Sequence, residues 1–485
     1  MRLLLVFATV LCLPLAAHVG VNNVFFEGLA GPYPLYVTIQ PPAVIPGVAQ
    51  ISIRSAAKDV NRIRITPMTL TGPGSKYPPT PDDTVRSAAD SQLFEGGIWI
   101  MFATSWQVKI IVDGARGPAT LSVPLPAASQ RVSTMDFQMG VILSVLMFLL
   151  GAGLVGIAGA AVREARLRPG LTADARGRRA GSIAMGIGLL LSFGIIWTGK
   201  NWWADEAKNY ARTIYKPLGI EPSLNGYNLR LSLSHSGWTQ SKTLDDFMLD
   251  HGYPMHLYLI REPDMDAIYH LHPDFTHPGI FEVRLSKIPK GRYKLYADVV
   301  HKIGFPETLT ANLEIPEDIP DQGTPSKDNA GGLFNESSVN SSQFVTPDAL
   351  RVELLGSTSI RSGIPTTLRF KVSDPDGNPA SNLRPYLGMP AHLAIFKNDF
   401  SVFAHIHPNG TISMAAFEIA QNNSLQLGGN VLASLHAGVA GKDDVPSELS
   451  FPFGFPQPGR YRLVLQFRKL DIVESAVFDI VVTKP

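Results

Sequence analysis

Gly388-Met-Pro-Ala-His392 leads through Leu393-Ala-Ile-Phe-Lys397, a turn and Val402-Phe-Ala404 into His405-Ile-His407-Pro408. The same design occurs earlier as Gly252-Tyr-Pro-Met-His256, a strand and turn, and His270-Leu-His272-Pro273. Both copies place Gly four residues and Pro two residues before the first histidine, and both close on His-x-His-Pro. Apolar runs bounded by Gly, Pro and Asp-rich turns read as antiparallel hairpins, which makes this part of the chain β. Six of the twelve histidines lie in the two copies.

Residues opposite each other in an antiparallel pair share a face, with Cβ atoms ~4.5–5.5 Å apart. A two-residue turn at Asn398-Asp399 pairs Lys397 with Phe400 and predicts His392 opposite His405. A three-residue turn, Glu262-Pro-Asp264, pairs Arg261 with Met265 and predicts His256 opposite His270. His272 and His407, two residues on, fall on the same faces because strand side chains alternate. Each hairpin is thus expected to present three imidazoles together, a donor set that suits copper, zinc, nickel or iron.

The only cysteine, Cys12, sits in the apolar run Leu3–Leu15, which with Arg2 before it and Ala16-Ala17 after it reads as a secretory signal peptide over 1–17. Without thiolates, His with Met is the expected ligand set, so copper is the expected metal, with zinc as the alternative. His256, His270, His272, His392, His405, His407 and Met389 are the candidate ligands. His301 is a candidate to close the first site, with His277 as a further option. In the second repeat Lys469 stands where His301 would be, leaving His436 as the candidate there. Met255 and Met414 read as core filler. His18 would be N-terminal after cleavage at Ala17, but the next histidine is His235, so a two-histidine N-terminal copper site is not expected.

Two further repeat signatures, Gly291-Arg-Tyr-Lys-Leu-Tyr-Ala297 and Gly459-Arg-Tyr-Arg-Leu-Val-Leu465, follow the hairpins. They define two similar β-domains at 220–316 and 347–485, the second enlarged by an insertion over about 409–450. The Pro-, Ser- and Asn-rich stretch 317–346 between them reads as a flexible linker. Upstream, 18–135 holds short β-rich runs such as Leu35-Tyr-Val-Thr-Ile39 and Gln107-Val-Lys-Ile-Ile-Val112, the pattern of another sandwich.

Apolar segments at 140–162 and 180–198 are each long enough to span a ~30 Å hydrocarbon core. The loop between them, 163–179, carries six arginines against two acids and is expected in the cytoplasm. Trp202-Trp203 then read as interfacial anchors on the other side. The expected fold is mainly β: three immunoglobulin-like β-sandwich domains plus a two-helix transmembrane hairpin. Both chain ends are expected on the periplasmic, extracytoplasmic side of the inner (plasma) membrane.

Forty-two basic and 41 acidic side chains balance, which gives no electrostatic basis for binding nucleic acid. No nucleophile elbow, Walker loop, zincin helix or dinucleotide fingerprint occurs, so no enzymatic activity is expected.

The run Gly388-Met-Pro-Ala-His392, Ser401-Val-Phe-Ala-His405-Ile-His407-Pro408 and Phe455-Pro-Gln-Pro-Gly459-Arg-Tyr461 resembles the YtkA-like and FixH-like extracytoplasmic β-sandwich modules. The resemblance implies a bacterial envelope protein associated with copper handling or respiratory oxidase assembly. The residues and the resemblance together point to a membrane-anchored metal carrier, sensor or assembly factor. Its partners would be the lipid bilayer and respiratory or copper-handling envelope proteins. The alternative is a structural module of an envelope complex whose histidines are packing residues.

Overall fold

The computed structural model describes residues 18–19, 23–165, 167–168, 170–238, 243–323, 326–334, 342–356, 360–426 and 445–485. The chain divides into two compact units, one made of 129–215 with 237–240 and the other of the remaining chain. The first unit is a helical hairpin. The second holds three β-sandwiches.

In the helical unit, α1 (Phe137–Glu164) and α2 (Ala175–Arg212) are both long and apolar enough to cross a membrane. Asp136 and Asp174 cap them, accepting from the amides of Met139 at 3.1 Å and Gly177 at 2.7 Å. The helices approach at Gly159 and Gly181, where a Cβ on Gly181 would stand 2.9 Å from the Gly159 carbonyl oxygen. Small residues allow this approach, as in helix pairs that must pack without hydrophobic drive. α2 runs well past the expected span end at 198, carrying Trp202 and Trp203 on its last turns.

The N-terminal sandwich pairs a five-stranded sheet, built on Val24–Ala30, Tyr33–Gln40, Gly47–Ser55 and Leu93–Ile100, with a four-stranded sheet built on Ala119–Ala127, Thr104–Gly114 and Val60–Thr69. Alternation sends Val37, Ile39, Ile51, Ile53, Ile63, Ile65, Val108 and Ile110 into one core.

The second sandwich sets Gly219–Asn225, Asn228–Ser234, Ile280–Arg284 and Asp274–His277 against a sheet centred on Gly291–His301, His256–Arg261 and Ala267–Leu271. The third sets Gln343–Val345, Arg351–Leu355, Thr366–Ser373 and Glu448–Phe453 against a sheet centred on Val402–Ile406, His392–Lys397, Gly459–Lys469 and Ile472–Thr483. Within the insertion, α3 (Met414–Gln426) packs on the N-terminal sandwich, with Phe417 stacked on Phe26 at 5.4 Å.

The two histidine sheets are covered on both faces. Leu257 and Leu259 point into their own sandwich, whereas Tyr258 and Ile260 enter a core shared with Ala394, Phe396, Phe403 and Val464 of the third domain. Tyr296 stacks on Phe403 at 4.4 Å and donates from its hydroxyl to the Phe400 carbonyl at 3.0 Å. Arg462, paired with Asp479 at 2.7 Å, also donates to the carbonyl oxygens of Met265 and Asp264 at the other hairpin's tip. Burial on both faces explains why these strands read as unbroken apolar runs.

The stretch expected as a flexible linker contributes structure. Ala330–Leu333 adds a strand to Ala267–Leu271, and Gln343–Val345 pairs with Arg351–Leu355. Its polar composition misled because several of its polar groups are used: Tyr253 donates to Asp328, and Asn329 meets His272. Gly331, at φ +116°, passes so close to Ile268 that a Cβ would lie 2.1 Å from its carbonyl oxygen.

Candidate metal centre

The hairpin turns are longer than expected, so each register shifts by two residues. Tyr258 faces His270 and Ala394 faces His405. The same registers, continued one step outward, put His256 across from His272 and His392 across from His407. A shift of two preserves side-chain parity, so all six histidines keep the predicted faces; a shift of one would have separated them.

Those two faces meet. Domain packing brings six hairpin histidines and His251 into one buried group, in which His256 and His405 from opposite domains have ring centroids 5.2 Å apart. His270 and His405 are 5.6 Å apart, and His251 and His256 5.9 Å. Within the group, His256, His270 and His272 each offer one nitrogen within 4.8 Å of the others, and so do His251, His392 and His407.

Equivalent turns position the first histidine of each hairpin. His251-Gly252 and Leu387-Gly388 both have positive φ, and both are closed by a backbone bridge, Asp250 with Tyr253 and Tyr386 with Met389. Each turn offers a carbonyl to its own histidine: Asp250 O to His256 Nε2 at 3.0 Å, and Tyr386 O to His392 Nε2 at 3.1 Å. The Leu387 carbonyl instead crosses to His251 Nδ1 at 2.8 Å.

These contacts fix the tautomers. A carbonyl oxygen cannot donate, so the ring nitrogen bonded to it carries the proton, and the other nitrogen of a neutral imidazole carries a lone pair. Lone pairs on His256 Nδ1, His392 Nδ1 and His251 Nε2 therefore point into the group. They face His270 Nε2 at 3.1 Å, His405 Nε2 at 3.0 Å and His407 Nε2 at 3.0 Å. Two ligands ~2.0–2.1 Å from a common ion stand roughly 3–3.4 Å apart, so these separations suit shared coordination.

Outer partners orient the remaining rings across the domain boundary. His270 Nδ1 meets Gln466 Oε1 at 2.9 Å, and His405 Nδ1 lies 3.5 Å from Asp298 Oδ2. Gln466 and Asp298 occupy equivalent places, opposite His392 and His256 in their own sheets. His272 Nδ1 is held by Asn329 at 3.1 Å, and its buried Nε2 has no hydrogen-bond partner among the described residues. Tyr253 stacks on the same ring at 4.1 Å. One anchored and one inward nitrogen is the usual arrangement of a metal-ligating histidine.

The electrostatics keep the rings neutral. Burial, then neighbouring imidazoles, hold His256, His270, His392, His405 and His407 below the usual histidine value, and bring His272 down to about 2. Desolvation brings His251 to about 4, against a rise from its bond to Leu387. Burial pushes Asp298 up to about 6, offset by the Thr308 hydroxyl and His256. Burial also raises Asp250, whose Oδ1 accepts from the Ala415 amide at the start of α3 at 2.7 Å.

Other expected ligands lie elsewhere. His301 stands apart, its Nδ1 2.7 Å from Asp246 and its Nε2 3.0 Å from Glu307, so both nitrogens are occupied. Met389 and Met414 are buried in the core of the N-terminal sandwich, and Met255 in that of the second domain. His277 is exposed at the end of Asp274–His277. His436, the signal segment and the His18 side chain lie outside the described residues, although the His18 backbone pairs in parallel with Val402.

His251 escaped sequence reading because its repeat counterpart is Leu387, so comparing the copies hides it. Its position beside the shared Gly252, five residues before His256, was the available signal.

A family model described as "Domain of unknown function (DUF8832)" matches residues 345–484, the third sandwich. No curated protein sequence matches the chain. Among solved structures, the chain is similar to a tetra-tandem repeat from the extending region of a large adhesion protein, at 9% identity and TM-score 0.16, covering 90% of this chain and 71% of that one. It is similar to the ICAM-5 D1–D4 ectodomain fragment at 9% identity and TM-score 0.16, covering 93% and 77%. Native E. coli alpha-2-macroglobulin follows at 7% identity and TM-score 0.19, covering 96% of this chain and 23% of that one. Likenesses of this size assign no function.

Proposed function

We propose that the chain is a membrane-anchored, extracytoplasmic metal-binding protein that holds copper through its histidine group, as a carrier, sensor or assembly factor rather than an enzyme. The observation that carries this reading is the set of inward lone pairs on His251, His256 and His392, fixed by backbone carbonyls that can only accept. Buried lone pairs facing other ring nitrogens at 3.0–3.1 Å call for a cation or a shared proton. The neutral imidazoles are in the form that binds metal.

Two apolar helices support membrane anchoring, and the arginine-rich 163–179 loop supports placing the β-domains outside the cytoplasm. The resemblance to YtkA-like and FixH-like modules fits the same reading, with respiratory or copper-handling envelope proteins as recipients. Zinc is the alternative metal.

A second reading, a structural module whose histidines only pack the domain interface, is favoured by their burial and hydrogen bonding. Copper titration of the detergent-solubilised full chain, with metal analysis after gel filtration, separates the two. Metal retained through the column supports the first. Absence of binding tighter than micromolar, with His270→Ala changing only stability, selects the second.

A further inference from the structure

The group contains more imidazoles than one ion can use, and they are sorted. His256, His270 and His272 come from one domain, whereas His251 crosses over to join His392 and His407 of the other. Ring centroids lie 4.5–5.3 Å apart within each set, but 5.9 Å for His251–His256 and 6.4 Å for His270–His392 across them, so the sets adjoin without merging.

The charges facing the rings are few. Asp298 approaches His405, and Asp250 lies beside His256 with its carboxylate on the Ala415 amide. Asp328 acts on His272 but is already paired with Arg468 and accepts from Tyr253. Among the described residues, two carboxylates thus remain to balance whatever the neutral rings bind. A buried charge without compensation is strongly disfavoured. Two divalent ions would leave a surplus of two positive charges in a buried interface. Two monovalent ions would leave none.

Resting on the metal-binding reading, we propose that the chain holds two singly charged ions, one in each triad, as a Cu(I) pair balanced by Asp250 and Asp298. Each ion takes three imidazole nitrogens, and His405 stands between them, 3.0 Å from His392 Nδ1 and ring-to-ring with His256 and His270.

The test is Cu(I) stoichiometry on the full chain in detergent, by competition with a chromophoric chelator under anaerobic conditions. The wild type should bind two equivalents, and His251→Leu and His272→Gln one each. Leu already occupies the turn position equivalent to 251, so that variant should fold. Apo melting temperatures within a few degrees of wild type would show that lost metal is not lost fold. Asp298→Asn should keep two equivalents but weaken them about tenfold to a hundredfold. One equivalent in the wild type, abolished by both histidine variants, would overturn the pair. Zn(II) held in two equivalents as tightly as Cu(I) would overturn the charge assignment. No metal bound at all would instead sink the parent reading.

Discussion

The outer nitrogen of His270 is anchored from outside its own domain: His270 Nδ1 donates to Gln466 Oε1 of the third domain at 2.9 Å. The reciprocal contact joins His405 of the third domain to Asp298 of the second. Each domain therefore orients a ring that the other supplies.

Replacing Gln466 with Leu should leave the buried His270 N–H with only the more distant Tyr386 hydroxyl, at 3.4 Å, as acceptor. A cost of about 1–3 kcal/mol in apo stability is expected, together with a 10- to 100-fold loss of metal affinity because the ring is no longer oriented. Thermal melts and metal competition measured side by side check this. Unchanged affinity would show that Gln466 does not orient a ligand.

Truncating Phe403 to Ala should remove the ring that stacks on Tyr296 and closes against Tyr258 between the domains. A loss of about 3–5 kcal/mol is expected for a large aromatic removed from a core. Limited proteolysis should then cut between the second and third domains faster than in the wild type. Equal protection would mean that the domain contact does not depend on this stack.

Gly331→Ala should be among the most disruptive single-methyl changes in the chain, since its Cβ would meet the Ile268 carbonyl oxygen at 2.1 Å. Gly323, also at positive φ but with open space around it, is the control. Chemical denaturation should place the first variant about 2–4 kcal/mol below wild type and the control within about 1 kcal/mol.

His301 should give a pH signature of its own. Burial lowers its pKa, but hydrogen bonds and charges from Asp246 and Glu307 outweigh this, and the net shift is upward. The folded state therefore binds the proton more tightly than the unfolded chain. Its contribution is complete below the unfolded value of ~6.5 and fades as pH rises through the raised folded value. Melting temperature against pH for wild type and His301→Gln should differ most near pH 6 and converge under alkaline conditions. A gap that widens with pH would reverse the assignment.

Much of the architecture was legible. The repeated Gly-x-Pro-x-His and Gly-Arg-Tyr signatures marked two sandwiches, and the apolar runs at 140–162 and 180–198 marked the helices. Parity along a strand put His256, His270, His272, His392, His405 and His407 on the faces where they are found. Turn lengths were misjudged, because the residues after Arg261 and Lys397 form wider turns with Met265 and Phe400 at positive φ. The meeting of the two faces was not legible, since it depends on domain packing that no local period records. His251, Gln466 and Asn329 gained their places through that packing. His301 and Met389 were misplaced for the converse reason: sequence proximity to the motif did not show that His301 would be taken by two carboxylates or Met389 by another domain's core.

Crossed orientation of His270 and His405 makes the histidine group a coincidence device. Either domain folded alone would expose a sheet of apolar residues and ill-aimed rings. Only their docking both hides that surface and brings Gln466 and Asp298 to the outer nitrogens of His270 and His405. The outer contacts of His270 and His405 therefore exist only while the two domains are docked. A polypeptide possessing just one such sandwich, with its own Gln466 equivalent, would need a second copy of itself, turned about a twofold axis, to reach the same arrangement.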